Sequence, residues 1–514
     1  MKRLLFFFTA LFLIAFIQNG YAQSLSKQKL VYEKSNTSLT AYYTFKGDDG
    51  TTIFHTPVIK GKSSYDKDKN NAFLLKLSDD KNSFSSISGF RMDEDYKILH
   101  VFDNPEEVVV FYSLDQPFKK KYTLWKGSYS KSKPALTFAP TLIASFETSN
   151  YSAESTLAVA SEDGSKHAII FFSTDIQSNF KGMYSMVTDN YGNVLWEKAG
   201  MPKFPGNLFT VLNTHVSNDG IIYLPTSVTS RTRVKTGHVI DEDFLSMLII
   251  REDEMEVISK ENPRLTISSL ATKLLDNGQI LLAGYSIVRT IEKQTNSYFT
   301  LSFEPKDNSF GEFRTKVIQE FDETISRFAL SLSGAGQLSD KDFSLVIRDI
   351  VQLANKDIIL LGEQESKRYD DGYNYHTKNI LYHNLSNEDI PNVQIEKSEK
   401  ITKANKVNNL QLHLLSYSYF VVGNTIYFVY NDDIKNYDKP YLDGRIHDLN
   451  TKSRASQFCT IVAQIHSDGK VEKKMLDKID NPYLKFLTLI EANDTEALLA
   501  FIGEKWTEFI KLSL

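Results

Sequence analysis

Cysteine is nearly absent from this sequence: Cys459 is the only one among 514 residues. An intrachain disulfide needs two cysteines, so the chain has to rely on a hydrophobic core rather than on covalent cross-links. Cys459 lies in the apolar run FCTIVA at 458–463. This position predicts a buried, inert thiol rather than a reactive one.

The sequence also lacks an excess of either charge and lacks the standard catalytic signatures. Lys and Arg number 59 against 64 Asp and Glu, so the formal net charge is only −5. This mixed balance gives no support for nucleic-acid binding, which needs a basic patch. No Gly-x-Ser-x-Gly elbow, His-Glu-x-x-His, Cys-x-x-Cys, P-loop or dinucleotide fingerprint occurs, and the ten histidines are scattered. We therefore predict no catalytic residues.

Long apolar runs are absent after residue 17. Residues 4–17 are apolar, follow Lys2 and Arg3, and precede a small-residue stretch that ends at Ala22. This order predicts a signal peptide over 1–22, with cleavage before Gln23. An uncleaved anchor is the alternative, but a membrane-spanning helix needs about 20 apolar residues. We expect an exported chain, periplasmic or extracellular, with no transmembrane segment after cleavage.

A turn signal recurs along the chain, and each copy is followed by a short apolar run such as AIIFF at 168–172. Asn or Asp before Gly supplies the positive φ that a tight turn between two strands needs. Hairpins that recur without strong helical segments indicate a repeated all-β unit. The turn signals are Asp163-Gly164, Asn218-Asp219-Gly220, Asp276-Asn277-Gly278, Asn355-Lys356-Asp357 and Asn424-Thr425.

The repeat predicts a single β-propeller over 97–514, built from four-stranded blades with strands a to d. The chain ends in three strands within 484–514, so the N-terminal segment 23–96 is expected to lend the closing strand. Candidate closing strands are 39–46 and 72–77. Six full units and one shared unit predict seven blades, with six or eight as alternatives. A short helical insert is predicted near 322–334 from its helical spacing of apolar residues.

The pattern resembles that of uncharacterised secreted β-propeller proteins of the Bacteroidetes type. The resemblance rests on the Tyr-Ala-Gln end of the signal at 21–23 and on IRDIVQLANKDIILLGEQ at 347–364. It implies the propeller fold and export but brings no catalytic residues. The stretch from Asp189 to Trp196 also resembles the tryptophan-docking turn of quinoprotein-like propellers. It occurs once, which argues against a quinone cofactor.

The a–b turns are short and the b–c connections are long, and in a propeller all b–c connections emerge on one face. Long loops on one face of a repeat protein usually mark its binding face. Those of the fifth and sixth units, 367–379 and 432–450, combine tyrosine with Asp and Asn. A plain solvated surface is the alternative. The candidate binding residues are Tyr369, Tyr373, Tyr375, His376, Tyr437, Tyr441, Arg445 and His447.

These features predict a non-enzymatic binding or scaffold protein that recognises a protein, peptide or glycan. The alternative function is an enzyme acting on polysaccharide, with an Asp/His site at the channel mouth. No cofactor is predicted. Clustered carboxylates could hold Ca²⁺, but no Asp-x-Asp-x-Asp-Gly loop is present, so the calcium signal is weak.

Overall fold

The computed structural model describes most of the chain, and nearly all of that part is β-strand. The predicted signal peptide lies outside the described residues, and so does the predicted helical insert apart from Asp322. No helix in the described part is long and apolar enough to span a membrane. The described ranges are 28–31, 39–47, 50–57, 71–77, 84–91, 96–116, 121–130, 140–147, 156–174, 180–206, 208–233, 239–261, 266–289, 293–322, 344–369, 373–387, 392–404, 417–438, 449–450, 458–479, 486–493, 495–502 and 507–513.

The strands form antiparallel sheets, which we number along the chain, and the first three are four-stranded meanders. An N-terminal strand, β1 (Gln28–Val31), precedes them. The strands of sheet 1 are β2 (Leu39–Gly47), β3 (Gly50–Pro57), β4 (Asn71–Leu77) and β5 (Phe84–Arg91). Those of sheet 2 are β6 (Tyr96–Asp103), β7 (Glu107–Gln116), β8 (Lys121–Ser130) and β9 (Thr141–Glu147). Those of sheet 3 are β10 (Thr156–Ala160), β11 (Lys166–Thr174), β12 (Phe180–Asp189) and β13 (Val194–Gly200).

Sheets 4 and 5 keep the meander, although one strand position in each is split into two short strands. The strands of sheet 4 are β14 (Leu208–Val211), β15 (His215–Val216), β16 (Ile222–Arg233), β17 (Val239–Ile250) and β18 (Met255–Glu261). Those of sheet 5 are β19 (Thr266–Leu274), β20 (Ile280–Arg289), β21 (Lys293–Glu304), β22 (Ser309–Phe310) and β23 (Arg314–Asp322).

The last three sheets complete the series, and sheets 6 and 8 each include a strand from elsewhere in the chain. Sheet 6 contains β24 (Ser344–Gln352), β25 (Ile358–Tyr369), β26 (Tyr373–Asn384), β27 (Val393–Ala404) and, from a later connection, β30 (Leu449–Asn450). Sheet 7 contains β28 (Ser418–Val422), β29 (Thr425–Asp433), β31 (Phe458–Ile465) and β32 (Val471–Ile479), with helix α1 (Ile434–Asp438) after β29. Sheet 8 contains β33 (Phe486–Ala492), β34 (Glu496–Ile502), β35 (Thr507–Ser513) and β1.

Sheets 2 to 8 pack face to face in chain order, and the second strands of these sheets are buried on both sides. In β11, Ile169 and Phe171 contact sheet 2, whereas Ala168 and Ile170 contact sheet 4. Further clusters of buried side chains join sheets 4 to 5, 5 to 6, 6 to 7 and 7 to 8. Burial on both faces explains why the b-strand sequences are continuous apolar runs rather than alternating ones. Four-stranded antiparallel meanders packed in series are the building unit of β-propellers.

The N-terminal segment contributes more than the sequence pattern predicts. Residues 39–46 and 72–77, the candidate closing strands, lie in β2 and β4 of sheet 1. The strand that pairs with the C-terminal strand β35 is instead β1, in an antiparallel register with Leu30 opposite Phe509. The described residues therefore form eight sheets rather than the seven of the preferred count. Sheet 1 also carries an Asp-Gly turn signal, Asp49-Gly50 between β2 and β3, which the sequence count overlooked.

Four of the five predicted a–b turns share one geometry, and the fifth, at Asn424-Thr425, is a shorter turn in which Gly423 has a φ of +58°. Gly164, Gly220 and Gly278 have φ values of +68°, +81° and +85°, which glycine adopts without steric cost. Each donates its backbone N–H to the carbonyl three residues earlier, at 2.8–3.0 Å. Lys356 occupies the same position in sheet 6 with φ +72° and the same hydrogen bond. The turn signal thus identified the hairpins that define sheets 3 to 6.

Candidate ligand-binding face

In sheets 4 to 6, the described residues of the predicted long b–c loops are largely strand, which corrects the sequence interpretation there. Residues 230–233 and 239–243 of sheet 4 continue β16 and β17 in unbroken register. Among the described residues, the neighbouring strands β14 and β18 pair only as far as Thr229 and Phe244, and the hairpin continues beyond these partners as a two-stranded ribbon. Arg231 lies opposite Asp241 across this ribbon.

Sheet 6 carries a second extended hairpin, and four of the candidate residues lie on it. Strand β25 ends at Tyr369, directly opposite Tyr373 at the start of β26. Tyr375 lies opposite Lys367, and His376 opposite Ser366. His376 is 9% exposed, so it is a buried strand residue rather than a loop ligand. Strand β27 backs this hairpin as far as Ala404, opposite Tyr373, which makes the extension a three-stranded wall.

The b–c connection of sheet 7 reaches across to sheet 6. It begins with helix α1, and its strand β30 pairs in parallel with Glu399 and Lys400 at the outer edge of β27. Tyr437 of α1 is partly buried and packs against the core between sheets 6 and 7. The connections of the two units therefore adjoin on one face. Tyr441, Arg445 and His447 lie outside the described residues.

A buried ion cluster that sequence reasoning missed lies between sheets 6 and 7, and we call it the polar seam. Glu363 is fully buried, and its Oε2 accepts hydrogen bonds from Arg348 Nε at 2.9 Å and Nη2 at 2.6 Å. Its Oε1 lies 2.7 Å from Lys397 Nζ, which is also fully buried and donates to Thr377 Oγ1 at 3.2 Å. Arg348 Nη2 also lies 3.8 Å from Glu365 Oε2, so two carboxylates offset the two cations, as burial of charge requires.

Asp432 adds a titratable carboxyl at the same seam. It is 2% exposed, and its Oδ1 accepts hydrogen bonds from Asn436 Nδ2 at 2.6 Å and from the backbone N–H of Asp433 at 2.8 Å. Burial raises the pKa of Asp432 to about 7, although these hydrogen bonds and the charge of Lys397 act to lower it. The carboxyl therefore changes charge near neutral pH.

Two tyrosine hydroxyl groups also donate hydrogen bonds to sheet 6 at the polar seam. Tyr417 donates its hydroxyl to the carbonyl of Gly362 at 3.4 Å, and Tyr419 donates to Asp349 Oδ2. Burial raises the pKa of both hydroxyls well above the usual value, with the charge of Glu363 adding to the effect at Tyr417. Both therefore remain protonated hydrogen-bond donors in the physiological range.

The seam had a weak sequence signal. Glu363 follows the apolar run IILLG and shares the strand parity of Ile359 and Leu361, which face sheet 7. Lys397 stands in EKSEK, which looks like a solvated charge run. A charged residue at the next alternate position after buried apolar residues of a strand indicates that the charge is buried too. Within the described residues, no group of three or more His, Cys, Asp or Glu side chains is arranged to hold a metal ion.

On the opposite face, residues in or next to the a–b turns form hydrogen bonds between neighbouring sheets. The backbone N–H of Asp163 donates to Asn218 Oδ1 at 3.4 Å, joining sheets 3 and 4. Asp276 N–H donates to Gln352 Oε1 at 3.0 Å between sheets 5 and 6. Asn355 N–H donates to Asn424 Oδ1 at 2.8 Å between sheets 6 and 7. These hydrogen-bonded residues therefore help to hold neighbouring sheets together on this face.

No protein-family model matches the chain, and no curated protein does. Among solved structures, the chain is similar to prolyl oligopeptidase B from Galerina marginata, at 8% identity and a TM-score of 0.39, covering 91% of this chain and 55% of that one. It is also similar to the Nup133 β-propeller domain of Vanderwaltozyma polyspora, at 11% identity and a TM-score of 0.30, covering 81% and 100% of the two chains. The chain thus spans about half the length of the oligopeptidase. With TM-scores this low, the description of the fold rests on the sheets themselves.

Proposed function

We propose that this chain is an exported β-propeller of eight blades that binds a protein, peptide or glycan through the face bearing its extended hairpins. The observation that carries the proposal is the difference between the two faces. The turns of one face are hydrogen-bonded to one another, whereas the hairpins of sheets 4 and 6 project from the other. A projecting, strand-built wall can hold binding groups in fixed positions, which lowers the entropy lost on association.

The composition of the wall suits recognition. Tyr369 and Tyr373 form a directly opposed pair at the tip of the sheet 6 hairpin. Tyrosine provides a large contact area at low conformational entropy cost, together with a polar hydroxyl, and is enriched at binding surfaces. The connection of sheet 7 adjoins the same wall through β30. These features favour a binding surface over a plain solvated loop cluster.

The binding test uses an array of polysaccharides and peptides probed with the protein lacking residues 1–22. We expect the triple variant Tyr369→Ser, Tyr373→Ser, Tyr375→Ser to lose at least about tenfold in affinity, because interface aromatics carry much of the binding energy. The matched control is Glu162→Ser with Asp219→Ser, two exposed residues of the opposite turns. Equal loss in both variants, or no loss in the first, would contradict the proposal.

The second candidate function is hydrolysis of a polysaccharide, and Asp432 is the observation that favours it. A carboxyl with a pKa of about 7 lies in the range of a general acid at neutral pH, but Asp432 is 2% exposed, so this role requires that the seam open to admit the sugar. Release of reducing ends from the arrayed polysaccharides distinguishes the two functions. If the chain is an enzyme, Asp432→Asn should abolish release while binding persists. If it is a binding protein, no release will be detected from any bound polysaccharide.

Closure of the ring is part of the proposal, and two contacts support it. Strand β1 pairs with β35, and β2 contacts β33 and β34 of sheet 8 as well as β6 of sheet 2. A closed ring leaves no sheet unpartnered at either end.

Closure can be tested with a cysteine pair at opposed residues of β1 and β35. Leu30→Cys with Phe509→Cys should form a disulfide on oxidation and raise the melting temperature, because it joins segments far apart in the chain. Leu30→Cys alone is the matched control, since native Cys459 is buried. Failure of the pair to oxidise in the folded protein would contradict pairing of the two strands.

A further inference from the structure

Two histidines face each other across the boundary between sheets 2 and 3. His100 of β6 and His167 of β11 are joined by a hydrogen bond of 3.0 Å between Nε2 of the first and Nδ1 of the second. Phe102 stacks on the His167 ring with centroids 3.5 Å apart, and His167 is only 3% exposed. The pair therefore lies in the apolar contact between the sheets rather than on the surface.

The bond can exist only while at least one ring is neutral. A neutral ring nitrogen without hydrogen accepts the proton that the other ring donates. If both rings are protonated, two N–H groups and two positive charges oppose each other at this distance. The contact between the sheets then changes from attractive to repulsive.

The surroundings keep both rings neutral at ordinary pH. Burial lowers the pKa of His100 to about 3, with the charge of His167 as a second cause. Burial lowers the pKa of His167 to about 4, against the raising effects of a hydrogen bond with the Gly164 backbone and the charge of Asp189 on β12. Asp189 is the acidic group that acts on the pair, and its effect on His167 is smaller than that of burial.

We propose that His100 and His167 form an acid-sensitive latch that holds sheets 2 and 3 together at neutral pH and releases them on acidification. The direction follows from linkage. Groups whose folded-state pKa lies below the unfolded value of about 6.5 contribute their full stability above that pH. The contribution is lost as the pH falls from about 6.5 towards 4, because the unfolded or opened state binds protons that the closed state excludes.

The test needs a local measurement, because other histidines respond to acid as well. Burial also lowers the pKa of His215 and His383 to about 4, with Lys273 and Lys316 as the respective charged neighbours. Hydrogen–deuterium exchange, corrected for intrinsic rates, reports opening strand by strand. Each ring contributes somewhat less than about 100-fold, so we expect opening of β6 and β11 to rise on the order of 1,000-fold between pH 7 and 4.5. Strands β29 and β31 of sheet 7 pack against sheet 6 and serve as the comparison. The factor by which their opening rises should be at least ten times smaller.

The matched variant is His100→Gln with His167→Asn, which places amide groups where the bonded ring nitrogens lie and removes both titrations. We expect it to lose the excess opening of β6 and β11 in acid. An excess that persists in this variant, or acid opening that is equal in all four strands, would overturn the latch. If the variant does not fold, nitrogen chemical shifts of the imidazoles in the native protein decide. A pKa below about 5 for each of the two rings supports the proposal. Titration of either ring near pH 6.5 overturns it.

Discussion

Replacing Lys397 by Met is expected to lower the free energy of unfolding by about 3–5 kcal/mol, the range for breaking a buried ion pair. Lys397 and Glu363 are both fully buried, with Nζ and Oε1 2.7 Å apart. Methionine fills a similar volume but leaves Glu363 Oε1 without its cation in a site that water does not reach. Equilibrium urea unfolding, monitored by tryptophan fluorescence, measures the loss.

The matched control is an exposed ion pair of similar length. Lys470 Nζ lies 2.7 Å from Glu472 Oε1, with the two side chains 65% and 48% exposed. Solvent screens such a pair, so Lys470→Met should leave the free energy of unfolding unchanged within error. Adding Glu363→Leu to Lys397→Met should not recover the loss, since Arg348 then loses the carboxylate that accepts two of its hydrogen bonds. Equal effects of the two lysine variants would show that the seam is solvated.

Gly362→Ala is expected to cost about 3 kcal/mol, although the change adds one methyl group. A Cβ at Gly362 would meet the buried ring of Tyr285, with ring carbons at 2.7 and 2.8 Å and the hydroxyl oxygen closer still. Tyr285 is fully buried against sheet 6, so its ring cannot move into solvent. Overpacking of this kind costs roughly 1–3 kcal/mol, and more where backbone and ring are both confined. Chemical denaturation of the purified variant measures the cost.

A double-mutant cycle separates the clash from other effects. Tyr285→Ala alone should cost about 3–5 kcal/mol through the cavity it leaves. On that background, Gly362→Ala should cost less than about 1 kcal/mol, because the methyl group enters vacated space. The two changes should therefore couple by about 2 kcal/mol. Additive effects would mean that the glycine is needed for another reason.

Local signals in the sequence account for most of the fold that was predicted. The turns at Gly164, Gly220 and Gly278 and the apolar runs after them specified the hairpins, because turn geometry and burial on both sheet faces act over a few residues. The same signal occurs at Asp49-Gly50 in sheet 1 and was overlooked, whereas no local signal revealed that β1 pairs with β35. Strand pairing between distant segments depends on the whole packing and has no local mark.

The sequence by itself determined the all-β class, the repeat, and the face on which the long connections lie. Strand periodicity and turn geometry depend on a few neighbouring residues, so they can be recognised from the sequence. Only the tertiary structure decided that the predicted loops are extended hairpins, that His376 is buried, and that Glu363 and Lys397 meet between sheets. Charged residues in GEQES and EKSEK have the composition of a solvated surface. Glu363 and Lys397 are nevertheless buried, because sheet 7 packs over both of their strands. This burial arises only when the sheets assemble.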